Sequence, residues 1–162
     1  MNLRDQLEST LQGRVCIIGI GNPHYGDDGL GMKLAEELSD AGVVDIIVAG
    51  TIPETYIGAV CEHEFDHVLF VDAVEFGAEP GSVVFLGADE IESRFPQIST
   101  HKMSVGMLAK FVESNGITKA WLLGVQPGSA REGQGLSPKV QESLNVLREL
   151  LFRLKNREVL VC

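Results

Sequence analysis

Three short stretches of this sequence carry groups able to do hydrolytic or metal chemistry. Asp27-Asp28-Gly29 follows an apolar run, Asp72 ends the run Val68-Leu69-Phe70-Val71, and His101 comes after Ser99-Thr100. Two carboxylates and an imidazole form a mixed oxygen and nitrogen donor set. Such a set can hold a divalent transition metal and leave positions open for water or substrate. Each group also has an architectural reading. Asp27 or Asp28 can cap a helix by accepting bonds from free backbone N–H groups, and His101 can be a loop histidine beside a cap. Asp72 is harder to explain that way, because a carboxylate ending a strand buried on both faces is costly unless something pairs with it.

The elements that must position these groups follow from the hydrophobic pattern. Short apolar runs alternate with longer amphipathic segments, the signature of an α/β domain. Leu3, Leu7 and Leu11 predict a short helix over residues 2–12. Val15 to Ile20 predicts a buried strand ended by Gly21-Asn22-Pro23. Leu30, Leu34 and Leu38 mark a helix over 29–39, Val43 to Ala49 a second strand, and Val68 to Val71 the centre of a third. Ser82 to Leu86, after the turn Glu79-Pro80-Gly81, is a candidate antiparallel neighbour. A helix over 104–114 and a strand over 119–125 follow. Ser137, Pro138 and the stripe Val140, Leu144, Leu147, Leu151 and Leu154 predict a closing core helix. The expectation is one three-layer α/β domain over residues 1–162, with a helical extension over 1–13. Its twisted, mainly parallel five-stranded sheet carries helices on both faces. In such a sheet ligands gather at the carboxyl ends of the strands, where Asp28, Asp72 and His101 all fall.

Composition narrows the function classes. The chain has 162 residues, 44% hydrophobic and 22% charged, as expected of one globular domain. Thirteen Lys and Arg against 23 Asp and Glu leave a net charge of −10, which argues against nucleic acid or an anionic membrane surface as partner. Cys16, Cys61 and Cys162 are too scattered for a disulfide framework, and Cys16 reads as a small core residue. Neither a signal-peptide pattern nor a membrane-length apolar run is present, so a cytoplasmic setting is expected.

Other chemistries fit poorly. Gly19-Ile20-Gly21 opens like a dinucleotide fingerprint, but His24 occupies the third glycine position. There is no phosphate loop and no GxSxG elbow. Two carboxylates could act as an acid/base pair without metal, yet the Asp-Thr/Ser-Gly context of the aspartic proteases is missing.

Several motifs in register resemble one known family. Gly19-Ile20-Gly21-Asn22 with Gly26-Asp27-Asp28-Gly29-x-Gly31 resembles the opening of the nickel–iron hydrogenase maturation endopeptidases. Phe70-Val71-Asp72-Ala73, Thr100-His101-Lys102-Met103, Leu123-Gly124-Val125-Gln126-Pro127 and Leu136-Ser137-Pro138-x-Val140 match its later landmarks, in order from about Arg14 to Leu154. The Asp-Asp-Gly and Thr-His-x-Met elements are most similar to the branch serving formate-hydrogenlyase-type and related energy-converting hydrogenases (the hydrogenase 3 branch).

The resemblance implies an aspartic-type or nickel-dependent endopeptidase. Its substrate is the hydrogenase large-subunit precursor, which loses a C-terminal extension after nickel has been loaded. Asp28, Asp72 and His101 are then the residues contacting that nickel, with Asp28 or Asp72 the catalytic carboxylate. Many members carry glutamate at the position of Asp28, so the metal must sit closer to this loop. The nickel arrives with the substrate, the enzyme alone being largely metal-free and monomeric. A rival reading is a non-catalytic nickel-binding or precursor-holding module, and a third, from fold class alone, a flavodoxin-like nucleotide binder. The glycine-rich stretch 128–135 is flexible by composition and reads either as a segment closing over the substrate tail or as only a long loop. Gly19, Gly21 and Gly26 read as turn glycines, and Pro53-Glu54 borders the same groove without an assigned role. His24, His63 and His67 read as surface or loop histidines.

Overall fold

The computed structural model describes residues 1–94 and 104–160. Five strands form one sheet: β1 (Val15–Ile20), β2 (Ile46–Gly50), β3 (His67–Ala73), β4 (Val83–Gly87) and β5 (Lys119–Val125). The helices are α1 (Leu3–Thr10), α2 (Leu30–Asp40), α3 (Glu54–Glu62), α4 (Ala88–Arg94), α5 (Val105–Glu113) and α6 (Pro138–Leu160). The spatial order is β2-β1-β3-β5-β4, and every pairing is parallel except β4 with β5. This is the mainly parallel five-stranded sheet the hydrophobic pattern predicts.

Side-chain alternation divides the core in two. Ile18, Phe70 and Leu122 face one way and pack with Ile57 of α3, Ile91 of α4 and Leu108 of α5. Ile17, Leu69 and Leu123 face the other way and meet Leu34 of α2, Leu144 and Leu151 of α6, and Leu7 of α1. Cys16 is a buried core residue, and burial pushes its thiol up to about 12, so it is inert. Among the described residues, no helix is long and apolar enough to cross a membrane.

Some expectations are refined. The antiparallel strand after Glu79-Pro80-Gly81 is β4, but its partner is β5 rather than the strand that precedes it. Helices α3 and α4 carry no clear sequence signal: α3 buries only Ile57 and Val60 and has Gly58 at its centre, while α4 has seven residues. His67 is no loop residue. It opens β3, where burial holds its imidazole below the usual range, and its Nδ1 accepts the Trp121 indole N–H at 3.0 Å. Gly21 and Gly26 take positive φ angles of 143° and 53°. Gly19 is instead a strand residue, and a Cβ there would lie 2.2 Å from the Gly31 carbonyl of α2.

Candidate functional site

The chain leaves β1 and returns through α2 to β2 on one side, then crosses through α3 to β3 on the other side of β1. The helices of these two crossovers pack on opposite faces of the sheet. The strand order therefore reverses between β1 and β3, leaving a crevice at their carboxyl ends, the usual ligand position in such sheets. Asp28 comes from the segment after β1 and Asp72 from the end of β3, so both sequence-predicted carboxylates border that crevice.

Asp28 sits in a 3-10 turn, Gly26–Gly29, which packs against β3. It is half-buried, and its Oδ2 accepts the Asn22 N–H at 3.1 Å, which fixes the carboxylate across the bend after β1. Asp72 is 5% exposed. It shares the strand parity of Val68 and Phe70, so it lies on the face covered by α3, α4 and α5. Above both strands α2 begins closely: a Cβ on Gly31 would lie 2.2 Å from the Val71 carbonyl oxygen and 2.3 Å from that of Ile20. His101 lies outside the described residues. Among the described residues, no group of three histidine, cysteine or acidic side chains is arranged to hold a metal ion.

Asp27, the neighbour of Asp28, has a different environment. Its side chain is fully buried, and it caps neither the 3-10 turn nor α2. It reaches instead across the fold. Oδ2 accepts the N–H groups of Gly128 and Ser129 and the Ser137 hydroxyl, each at 2.8 Å, while Oδ1 accepts the Ser137 N–H at 2.7 Å. Burial alone would raise its pKa. The bonds from Ser129, Ser137 and Gly128 outweigh that effect and hold the carboxyl below the usual aspartate range. The Asp27 N–H also donates to the Ser129 carbonyl at 2.8 Å, and the Gly133 N–H to that of His24 at 2.8 Å. The stretch 128–135 is thus tied at Gly128, Ser129 and Gly133 to the segment that carries Asp28. Sequence reading missed this role because Asp27 and its partners lie 101 to 110 positions apart.

Glu54 opens α3 at the same edge of the sheet. Residues 29–153 match the hydrogenase maturation protease family. The hydrogenase 3 maturation protease of Escherichia coli (strain K12) is 34% identical over 113 residues, 68% of this chain and 71% of that protein. The crystal structure of the NiFe hydrogenase maturation protease HycI from Thermococcus kodakarensis KOD1 superposes with a TM-score of 0.82 at 31% identity. That match covers 93% of this chain and 99% of the other. The solution structure of the endopeptidase HycI from Escherichia coli gives 0.73 at 26% identity, over 90% and 91% of the two chains.

Proposed function

From the premise that the chain belongs to the hydrogenase maturation protease family, we propose that it is an endopeptidase with one specific protein substrate. It removes the C-terminal extension of a nickel-loaded hydrogenase large-subunit precursor. The observation that supports this most is the placement of Asp28 and Asp72 on the two sides of the β1/β3 crevice.

Nickel belongs to the substrate in this reading. Asp28 and Asp72 offer carboxylate oxygens and His101 an imidazole, a donor set suited to a divalent ion whose shell the precursor's own ligands complete. The ion, when present, polarises the scissile carbonyl. Asp28 or Asp72 accepts the proton of the attacking water and returns it to the departing amine, so the carboxylate ends the cycle ionised. Asp28 is steadied for this by the Asn22 N–H. Because three protein ligands rich in oxygen bind nickel weakly alone, an unloaded precursor is left uncut.

Incubation with nickel-loaded and nickel-free precursor, followed by intact mass measurement, tests the proposal. Loss of a C-terminal peptide from the loaded form alone, abolished by Asp72→Asn, is the expected result. Equal processing of the two forms would remove the nickel checkpoint. Binding without mass loss in either form would favour a precursor-holding module.

A further inference from the structure

Away from the β1/β3 crevice, three observations meet on one groove. Helices α3 and α5 lie side by side on the same face of the sheet. Between them Glu54, Ile57, Gly58, Leu108 and Phe111 line a cavity of about 110 Å³. First, the Glu54 Oε2 is buried and accepts no hydrogen bond among the described residues, although such an atom ordinarily finds a donor. Second, Gly58 stands in mid-helix, where glycine costs about 0.5–1 kcal/mol relative to alanine. Nothing lies within 4 Å of the place its Cβ would occupy, so no packing constraint accounts for the glycine. What its absent side chain leaves is open space along the groove. Third, Phe111, which lines the groove, is 52% exposed, and Met107 on the same helix is 57% exposed. Met107 stands one turn before Phe111 on the same side of α5.

The fold fixes where this groove points. Helix α3 follows β2, and α5 precedes β5, so the N-termini of both helices lie at the carboxyl edge of the sheet. Glu54 is therefore at the end of the groove nearest the edge that carries Asp28 and Asp72. The volume is smaller than the roughly 150 Å³ void that accepts benzene, a size for one aliphatic side chain rather than a strand. A carboxylate that lines the groove, on a chain of net charge −10, favours a cation.

We propose that the α3–α5 groove is a docking subsite for the hydrogenase precursor, taking an aliphatic side chain between Gly58, Leu108 and Phe111 and a neighbouring Lys or Arg on Glu54. This rests on the maturation-protease reading and adds a second point of grip to it, outside the catalytic crevice. The groove secures the folded precursor while its tail reaches the carboxylates, so it contributes to binding and leaves the chemical step alone.

The test uses the full chain and the purified nickel-loaded precursor. Gly58→Leu fills the groove from a position with room for the added atoms, and Glu54→Gln removes the charge at constant size. For each variant, thermal unfolding confirms the fold, precursor affinity is measured by titration, and processing by intact mass. Gly58→Leu is expected to raise both Kd and KM about tenfold or more, with kcat within a factor of two. Glu54→Gln is expected to raise KM several-fold and flatten its dependence on salt, as loss of an ion pair does. Wild-type Kd and KM in both folded variants would overturn the docking subsite. If wild-type protein bound the precursor without cutting it, and Gly58→Leu still weakened binding, the subsite would stand and the protease reading would fall.

Discussion

The two faces of the sheet treat a buried carboxylate oxygen in opposite ways. On the α6 side, Asp27 is saturated: four donors from Gly128, Ser129 and Ser137 surround it, and a segment more than a hundred residues distant is tied to its turn. On the α3 side, the Glu54 Oε2 is buried with no donor among the described residues, beside a groove left open at Gly58. A saturated carboxylate has spent its bonding capacity on architecture, and an unsaturated one keeps it for a partner. Asp28 stands between these extremes, next to Asp27 in sequence yet half-buried and held by a single Asn22 N–H.

The sharpest way to break this contrast is to neutralise the two neighbouring aspartates separately. Asp28→Asn is expected to lower processing of nickel-loaded precursor by about 10²–10⁴-fold, the range of general acid–base catalysis, while the unfolding temperature changes little. Asp27→Ala is expected to do the reverse in kind. It strands donors in the interior and costs about 3 kcal/mol, a fall of roughly 6–12 °C in Tm for a chain of this size. Equal loss of Tm in the two variants would erase the distinction between them.

The pH dependence sharpens the same point. Asp27 has its pKa lowered in the folded state, so its ionised form stabilises the fold fully above the unfolded aspartate value of about 3.9. That contribution is lost as pH falls through the lower folded value. The stability gap between wild type and Asp27→Asn, measured by urea unfolding, should be constant from pH 7 to about 5 and narrow below about 4. A gap independent of pH down to 2.5 would mean that charge is not what binds the loop.

Smaller effects are expected at the edges of the two regions. Ser137→Ala deletes one donor to Asp27, the hydroxyl at 2.8 Å, and should cost about 1–2 kcal/mol in urea unfolding. Gly58→Ala should instead stabilise by about 0.5–1 kcal/mol, because the new methyl meets nothing within 4 Å. Destabilisation there would show that the open space beside α3 is needed by the fold itself.

Much of this arrangement is legible in the chain. The apolar runs at 15–20 and 119–125 coincide with β1 and β5, and the leucine spacing after residue 29 marks α2. Local periodicity sufficed because each element buries a face through its own residues. The position of Asp72 at a strand end and of Asp28 in the segment after β1 could be read in the same way, since it depends on where apolar runs stop. Helix α3 was not legible: with two buried residues and a central glycine, its stability comes from packing on the sheet rather than from propensity.

The sequence by itself determined the alternation of strands and helices, the net negative charge, and the two carboxylates, one ending β3 and one following β1, because these follow from composition and from where apolar runs stop along the chain. Only the tertiary structure decided that β4 joins β5, that Asp27 is a structural clamp while Asp28 remains available, and that Glu54 faces an open groove. Those outcomes depend on groups 34 to 110 positions apart, and a hydrogen bond has no sequence signal when its donor and acceptor meet only through the fold.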